Sequence, residues 1–250
     1  MAILYVASEE AELKPFANLL TGLRKLKWPI DYAWEGIWEG RRVMLAANGA
    51  GPRLAFQAVE IAIRAVTAAE LSSSRLEGIV STGFCGALDP QLKPFQIVAA
   101  DQVLDLATNE VFDCARVTSE GEVAIGKIVS QDRIANNSAE KQALRVHSAI
   151  AVDMEAAGVA ARTKRAGLPF YCIKVVSDCA NESFGFDLNK MRTSEGRLAR
   201  GKIGYYTVTH PNIIPELFRL RGRAEGAAKA LGDFLVSCRI SSESNVTPAE

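Results

Sequence analysis

Four short stretches place carboxylates, hydroxyls or glycines where an apolar run stops. "ASEEAE" offers Glu9, Glu10 and Glu12, and "STGFCGALDP" is a turn containing Gly83 and Gly86. "AIAVDME" ends in Asp153, Met154 and Glu155, and "FYCIKVVSD" ends in Ser177 and Asp178. Three of the four supply carboxylates, and no basic cluster accompanies them. Such a set suits a ligand rich in hydroxyls or protonatable nitrogens rather than a polyanion.

Each stretch also has a purely structural reading. Glu9, Glu10 and Glu12 fit the first turn of a helix, where acids complement the dipole. Ser177 and Asp178 fit an N-cap pair, and the two glycines fit a tight turn. Glu155 resists such a reading, because Ala156, Ala157, Val159, Ala160 and Ala161 leave the helix after it no polar face. A buried carboxylate needs a partner: a backbone amide, a cation such as Lys174, or the hydroxyls of a ligand.

The elements around these residues indicate how they are held. Short apolar, β-rich runs occur at 3–7, 41–47, 78–83, 95–103, 149–154 and 170–178. Runs of this kind suit strands covered on both faces. Helical patterns fill 9–23, 51–71, 155–167 and 213–238, the third stopped by Gly167 with Pro169 beyond it, the last with a potential break at Gly222. The alternation predicts an α/β fold, a sheet with helices on both faces, whose ligands gather beyond the carboxyl ends of strands. No composition break or repeat divides the chain, so 1–240 reads as one domain and 241–250 as a disordered tail. Polar segment 180–212 reads as a loop or lid.

Composition excludes several classes. Lys plus Arg and Asp plus Glu each number 29 in 250 residues, so no global field favours nucleic acid or an anionic membrane. No window is long and apolar enough for a membrane span, and the start lacks signal-peptide features, so a cytoplasmic location is expected. Five cysteines and two histidines show no paired spacing, which argues against a zinc site and for reduced thiols that pack as small hydrophobes. No metal or cofactor is expected.

The stretches "STGFCGALDPQLKPFQIVAAD", "AIAVDMEAAGVAA" and "LPFYCIKVVSDCAN", in that order and spacing, resemble the purine nucleoside phosphorylase and methylthioadenosine–S-adenosylhomocysteine nucleosidase superfamily. "SAEKQALRVHSAIAVDMEAAGVAA" and "THPNIIPELFRLRGRAEGAAKAL" look closest to its hopanoid-associated phosphorylase branch. The resemblance implies a three-layer αβα sandwich around a twisted mixed sheet, and cleavage of the N-glycosidic bond of a purine nucleoside. It implies that Asp178 protonates the departing base, oriented by Ser177. It assigns the ribose hydroxyls to Glu155, with Met154 packed beside the sugar, and nucleophile activation to Glu12, or to Glu10 in an alternative register. It also implies a homo-oligomer, since family members are dimers, trimers or hexamers.

The sequence departs from the family pattern at informative places. Phe84, after Gly83, stands where many members have serine against the nucleophile, and Ser81 where hexameric phosphorylases have a phosphate-binding arginine. Ile134 falls near the position of the aromatic that stacks on the base, and Lys174 where nucleosidases often have arginine. The missing phosphate contacts lean the reading to hydrolysis. A phosphorylase using Arg53 at the start of the second helix is one alternative. A nucleoside- or adenine-binding protein without turnover is another, with Phe84 its best support. Thiol chemistry at Cys85 is a third, with no histidine near it in sequence.

Overall fold

A computed structural model describes residues 2–68, 75–193, 197 and 209–240. The strands are β1 (Ala2–Ala7), β2 (Thr21–Lys25), β3 (Tyr32–Trp38), β4 (Arg41–Ala47), β5 (Leu76–Ser81), β6 (Phe84–Ala87), β7 (Ile97–Asp105), β8 (Val111–Asp113), β9 (Val123–Ser130), β10 (Ala151–Asp153) and β11 (Phe170–Asp178). The helices are α1 (Glu10–Ala17), α2 (Pro52–Ala68), α3 (Ser138–Leu144), α4 (Ala156–Arg165) and α5 (Ile214–Ser237).

The strands form one mixed sheet in the order β2-β3-β4-β1-β5-β11-β6-β10-β9-β7-β8. Strand β1 shows why both faces are covered. Ala2, Leu4 and Val6 point into a core shared with Ala55, Ala58 and Val59 of α2 and Ala156 and Val159 of α4. Ile3, Tyr5 and Ala7 point into another core with Leu13 and Phe16 of α1 and Leu231 and Phe234 of α5. Alternate residues of a strand face opposite sides, so an all-apolar strand requires a helical layer on each. The α2–α4 contact is so close that a Cβ on Gly158 would lie 1.9 Å from the Pro52 carbonyl oxygen.

Strand β11 pairs with three neighbours in turn. Phe170–Cys172 lie beside β5, Ile173–Val175 run antiparallel to β7, and Val175–Asp178 run parallel to β6. With β6–β10, β10–β9 and β9–β7 also paired, the five strands β11, β6, β10, β9 and β7 close a ring. Strand β10 is antiparallel to β6, whereas β11 is parallel to it, so β10 and β11 run in opposite directions. Gly86 is their meeting point, paired with Val152 of β10 on one side and Asp178 of β11 on the other. Ring closure brings the carboxyl end of β10 to the carboxyl end of β11 from the opposite direction.

Some boundaries differ from expectation. The helix expected over 9–23 stops at Ala17, with Pro15 in its last turn, and 21–25 form an exposed edge strand with Gly22 at φ 62°. The last helix runs unbroken through Gly222, which has open space around it. Strands β2, β3, β6, β8 and β9 and helix α3 were not marked by the sequence patterns. The tail 241–250 and most of 194–208 lie outside the described residues. Among the described residues no helix is long and apolar enough to cross a membrane.

Candidate active site

One cavity of about 340 Å³ collects Glu12, Glu155 and Asp178, three carboxylates from distant parts of the chain. Phe84, Ile134, Met154 and Ser177 also line it, as do Phe184 and Arg192. Its walls are mostly apolar with a few polar groups, the usual character of a small-molecule site.

Glu12 is held by main chain. Its Oε2 accepts hydrogen bonds from the Ser8 N–H (2.9 Å), the Ser8 hydroxyl (2.7 Å) and the Glu9 N–H (2.8 Å). Its Oε1 accepts from the Phe84 N–H at 2.8 Å. A Cβ on Gly83, at φ 107°, would lie 2.6 Å from the same oxygen, so the turn needs glycine to let the carboxylate in. Glu12 is buried, whereas Glu10 is exposed and does not line the cavity. Of these two acids, Glu12 is the one at the cavity. Phe84 meets Glu12 through its backbone, a contact that does not depend on its side chain.

Glu155 sits at the start of α4. Its Oε1 accepts from the Gly51 N–H at 3.0 Å, just before α2. Its Oε2 lies 3.8 Å from Lys174 Nζ. Lys174 is fully buried; it donates to Asp153 Oδ2 at 2.8 Å and to the Thr82 carbonyl at 2.9 Å. On β11, Lys174 shares a face with Cys172 and Val176, which directs it under the first turn of α4. Asp153 caps that turn, accepting the Ala156 N–H at 2.9 Å and the Glu155 N–H at 3.2 Å. Burial raises the Glu155 pKa from 4.5 to about 8; Lys174 opposes the rise, and Asp153 and Glu12 add to it. Burial pulls the Lys174 pKa down, but Asp153 and Glu155 outweigh it and hold the ammonium charged.

Asp178 faces the other lysine. Lys141, from α3, donates to Asp178 Oδ2, and also to the carbonyls of Cys179 (2.6 Å) and Glu182 (3.3 Å). Ser177 Oγ donates to Asp178 Oδ1 at 2.6 Å. Gly86 leaves room here, since a Cβ on it would lie 3.0 Å from Asp178 Oδ2.

Three expected site residues lie elsewhere. Arg53 is exposed and outside the cavity lining, and the N–H that opens the α2 amino end already serves Glu155. Lys174 lies beneath the cavity as the counter-ion of two acids, and Gly83 is packed against Glu12. Cys85 lines the cavity, but burial pushes its thiol well up, away from the reactive thiolate.

The sequence patterns did not single out Lys141, Phe184 or Arg192. Lys141 is the one buried residue of a polar seven-residue helix, so periodicity gives no signal for it. Phe184 and Arg192 belong to the polar segment after β11. Its described part is fastened to 134–136: Asn189 exchanges hydrogen bonds with Ile134 (2.8 and 3.0 Å), and Asn136 bonds the Phe186 carbonyl and the Leu188 N–H (both 3.0 Å). Arg192 bonds Asp132 Oδ1 at 2.7 Å. No group of three or more His, Cys, Asp or Glu side chains that could hold a metal ion occurs among the described residues.

The mixed, two-faced sheet carries three carboxylates around one cavity, and sequence comparison says to which family the chain belongs. The family model of the phosphorylase superfamily matches residues 2–121 and 117–201. The chain belongs to that superfamily. Its fold is similar to that of the 5′-methylthioadenosine/S-adenosylhomocysteine nucleosidase of Streptococcus pneumoniae (18% identity, 95% of this chain and 99% of that one, TM-score 0.66). It is also similar to the corresponding nucleosidase of Neisseria meningitidis (20% identity, 94% and 99%, TM-score 0.65). A futalosine hydrolase mutant of Helicobacter pylori matches comparably (16% identity, 95% and 97%, TM-score 0.65). At these identities the likeness shows a shared fold. No curated protein matches the sequence.

Proposed function

We propose that this enzyme hydrolyses the N-glycosidic bond of a purine nucleoside of the adenosine type. The observation that carries the reading is the convergence of Glu12, Glu155 and Asp178 on one cavity. Cleavage builds positive charge on the sugar while the base departs with electrons it must share with a proton. Glu155 receives the ribose hydroxyls and, when it gives up its tightly held proton, favours the cationic sugar. Met154 packs beside that sugar. Asp178 delivers a proton to the purine, with Phe184 and Ile134 lining the same cavity. Glu12, oriented by four neutral donors, takes the proton of the attacking water.

Hydrolysis is favoured over phosphorolysis by where the cations are. The cavity arginines Arg133, Arg192 and Arg223 pair with Glu140, Asp132 and Glu182, and Arg53 is outside the cavity. The test is a screen of adenosine, methylthioadenosine, S-adenosylhomocysteine, inosine and an adenosyl lipid for base release, with and without phosphate. Free base and free sugar without phosphate are expected. Phosphate dependence with ribose 1-phosphate as product would move the enzyme to phosphorolysis. Calorimetric binding without base release would make it a binding protein, and neither binding nor release would sink the reading.

A further inference from the structure

We infer that Asn136 and Asn189 are positioning residues that fix the base-side wall of the cavity and so set how tightly the purine is held. This rests on the purine-nucleoside reading proposed above. The wall is built from two segments distant in the chain. Ile134 and Ala135 come from the turn after β9, Phe184 and Leu188 from the loop after β11, and all four line the cavity. Phe184 marks the Asp178 end, since Lys141 Nζ lies 5.7 Å from its ring centroid and bonds Asp178. Neither segment is part of a strand, so no ladder joins them.

Two asparagine side chains join them instead. Asn189 Oδ1 accepts the Ile134 N–H at 2.8 Å, and its Nδ2 donates to the Ile134 carbonyl at 3.0 Å. One side-chain amide thus takes both main-chain groups of one residue, as an antiparallel strand neighbour does. From the other side, Asn136 Nδ2 donates to the Phe186 carbonyl and its Oδ1 accepts the Leu188 N–H, both at 3.0 Å. The Asn136 carbonyl also accepts the Phe184 N–H at 3.0 Å. The clasp is reciprocal: each segment lends an asparagine that grips the backbone of the other.

The asparagines are themselves held, and from outside the cavity. The Asn136 N–H donates to Glu140 Oε2 at 2.8 Å, and the Asn189 N–H to Asp187 Oδ1 at 3.0 Å. Both residues line a separate polar cavity of about 460 Å³ rather than the one that holds the carboxylates. They act on a ligand through Ile134, Phe184 and Leu188. Apolar side chains have no directional bonds of their own, so the amides behind them set the spacing of the wall, within the narrow range of N–H···O distances. A flat ring packed on this wall meets the same slot before and during bond cleavage. The clasp therefore contributes uniform binding, which KM carries and kcat does not.

Aspartate tests the clasp without changing its shape. Asn189→Asp keeps an oxygen for the Ile134 N–H and sets a second oxygen, with no proton, against the Ile134 carbonyl. Asn136→Asp does the same to the Phe186 carbonyl. Wild type and both variants are compared by steady-state kinetics on a purine nucleoside that the wild type cleaves, by calorimetry with free adenine and by thermal unfolding. Each variant is expected to raise KM and the adenine Kd together by about tenfold, the effect of one broken hydrogen bond, with kcat within about threefold and the fold retained. KM and Kd unchanged in both variants would overturn the inference. A fall in kcat at unchanged KM would also overturn it, by placing the asparagines in the chemistry. Failure of both variants to fold would overturn it in favour of a purely structural role; if one folds, its KM and kcat decide by the same criteria. Where the wild type binds adenine without turnover, Kd alone decides. Wild-type protein that neither cleaves a purine nucleoside nor binds adenine would overturn the function reading itself, an outcome separate from unchanged variants of an active wild type.

Discussion

Two buried lysines stand behind the cavity, and their company differs. Lys174, on the central strand β11, lies between Asp153 and Glu155, one cation for two acids. Lys141, on the short helix α3, faces Asp178 alone, and its other two donors go to carbonyls. The first arrangement leaves an excess of negative charge under the sugar side, so one acid there holds a proton more tightly than usual. Glu155 is that acid, its pKa pushed up by burial first and by Asp153 and Glu12 after it. The second arrangement is charge-balanced and sits at the cavity wall. The pair of regions teaches that a buried lysine can be shared by two acids or serve one. The number of acids around it separates the two cases.

The largest effect should come from removing the shared cation. Lys174→Met leaves two carboxylates buried without it and should cost about 3–5 kcal/mol in denaturant unfolding. Lys141→Met should cost less, about 2 kcal/mol, because Asp178 is at the cavity wall and can be hydrated. Equal losses would erase the distinction between the two regions. Asp178→Asn should lower kcat for base release by about 100-fold or more while the melting temperature stays close to wild type; full activity would remove Asp178 from the reaction. Glu12→Gln should lower kcat by about 100-fold, with the exposed Glu10→Gln near wild type, and steady-state kinetics on both variants would expose a reversed order.

Glu155 gives the region a pH signature. An acid whose folded pKa is raised binds its proton more tightly in the native state. The stability this contributes is complete below about 4.5 and is lost as pH rises through about 8. Melting temperatures across that window should fall with pH in the wild type and fall less in Glu155→Gln; parallel curves would return the raised proton affinity to another group. The smallest effect is expected at Ser177, which acts on Asp178 through one 2.6 Å hydrogen bond. Ser177→Ala should cost about 1 kcal/mol of transition-state stabilisation, close to fivefold in kcat/KM.

How much of this was legible in the sequence depends on the kind of signal each residue carries. Glu155 was legible because a carboxylate beside Ala156 and Ala157 breaks the local polarity pattern and demands a partner. The strand–helix alternation gave the two helical layers, as β1 shows with its two sets of apolar side chains. Arg53 was misleading: its place at a helix start suggested an anion site, but the backbone amide there is committed to Glu155. Lys141 was silent, because a lysine in "SAEKQAL" looks like any solvated helix face. The exposed strand β2 was mistaken for helix, since leucines at 19, 20 and 23 mimic helical spacing while Gly22 takes a positive φ.

The sequence by itself determined the class of fold, the three carboxylates and the small residues that let α4 lie against α2. These are local matters of polarity, side-chain size and the period of apolar residues. Only the tertiary structure decided which acid receives which partner. That choice depends on ring closure through β11, which turns β10 against the direction of its neighbour and sets Gly86 between Val152 and Asp178. It also brings Lys141 to an acid 37 positions away in the chain. Charge pairing acts over a few ångströms of space, a distance that spacing along the chain does not encode.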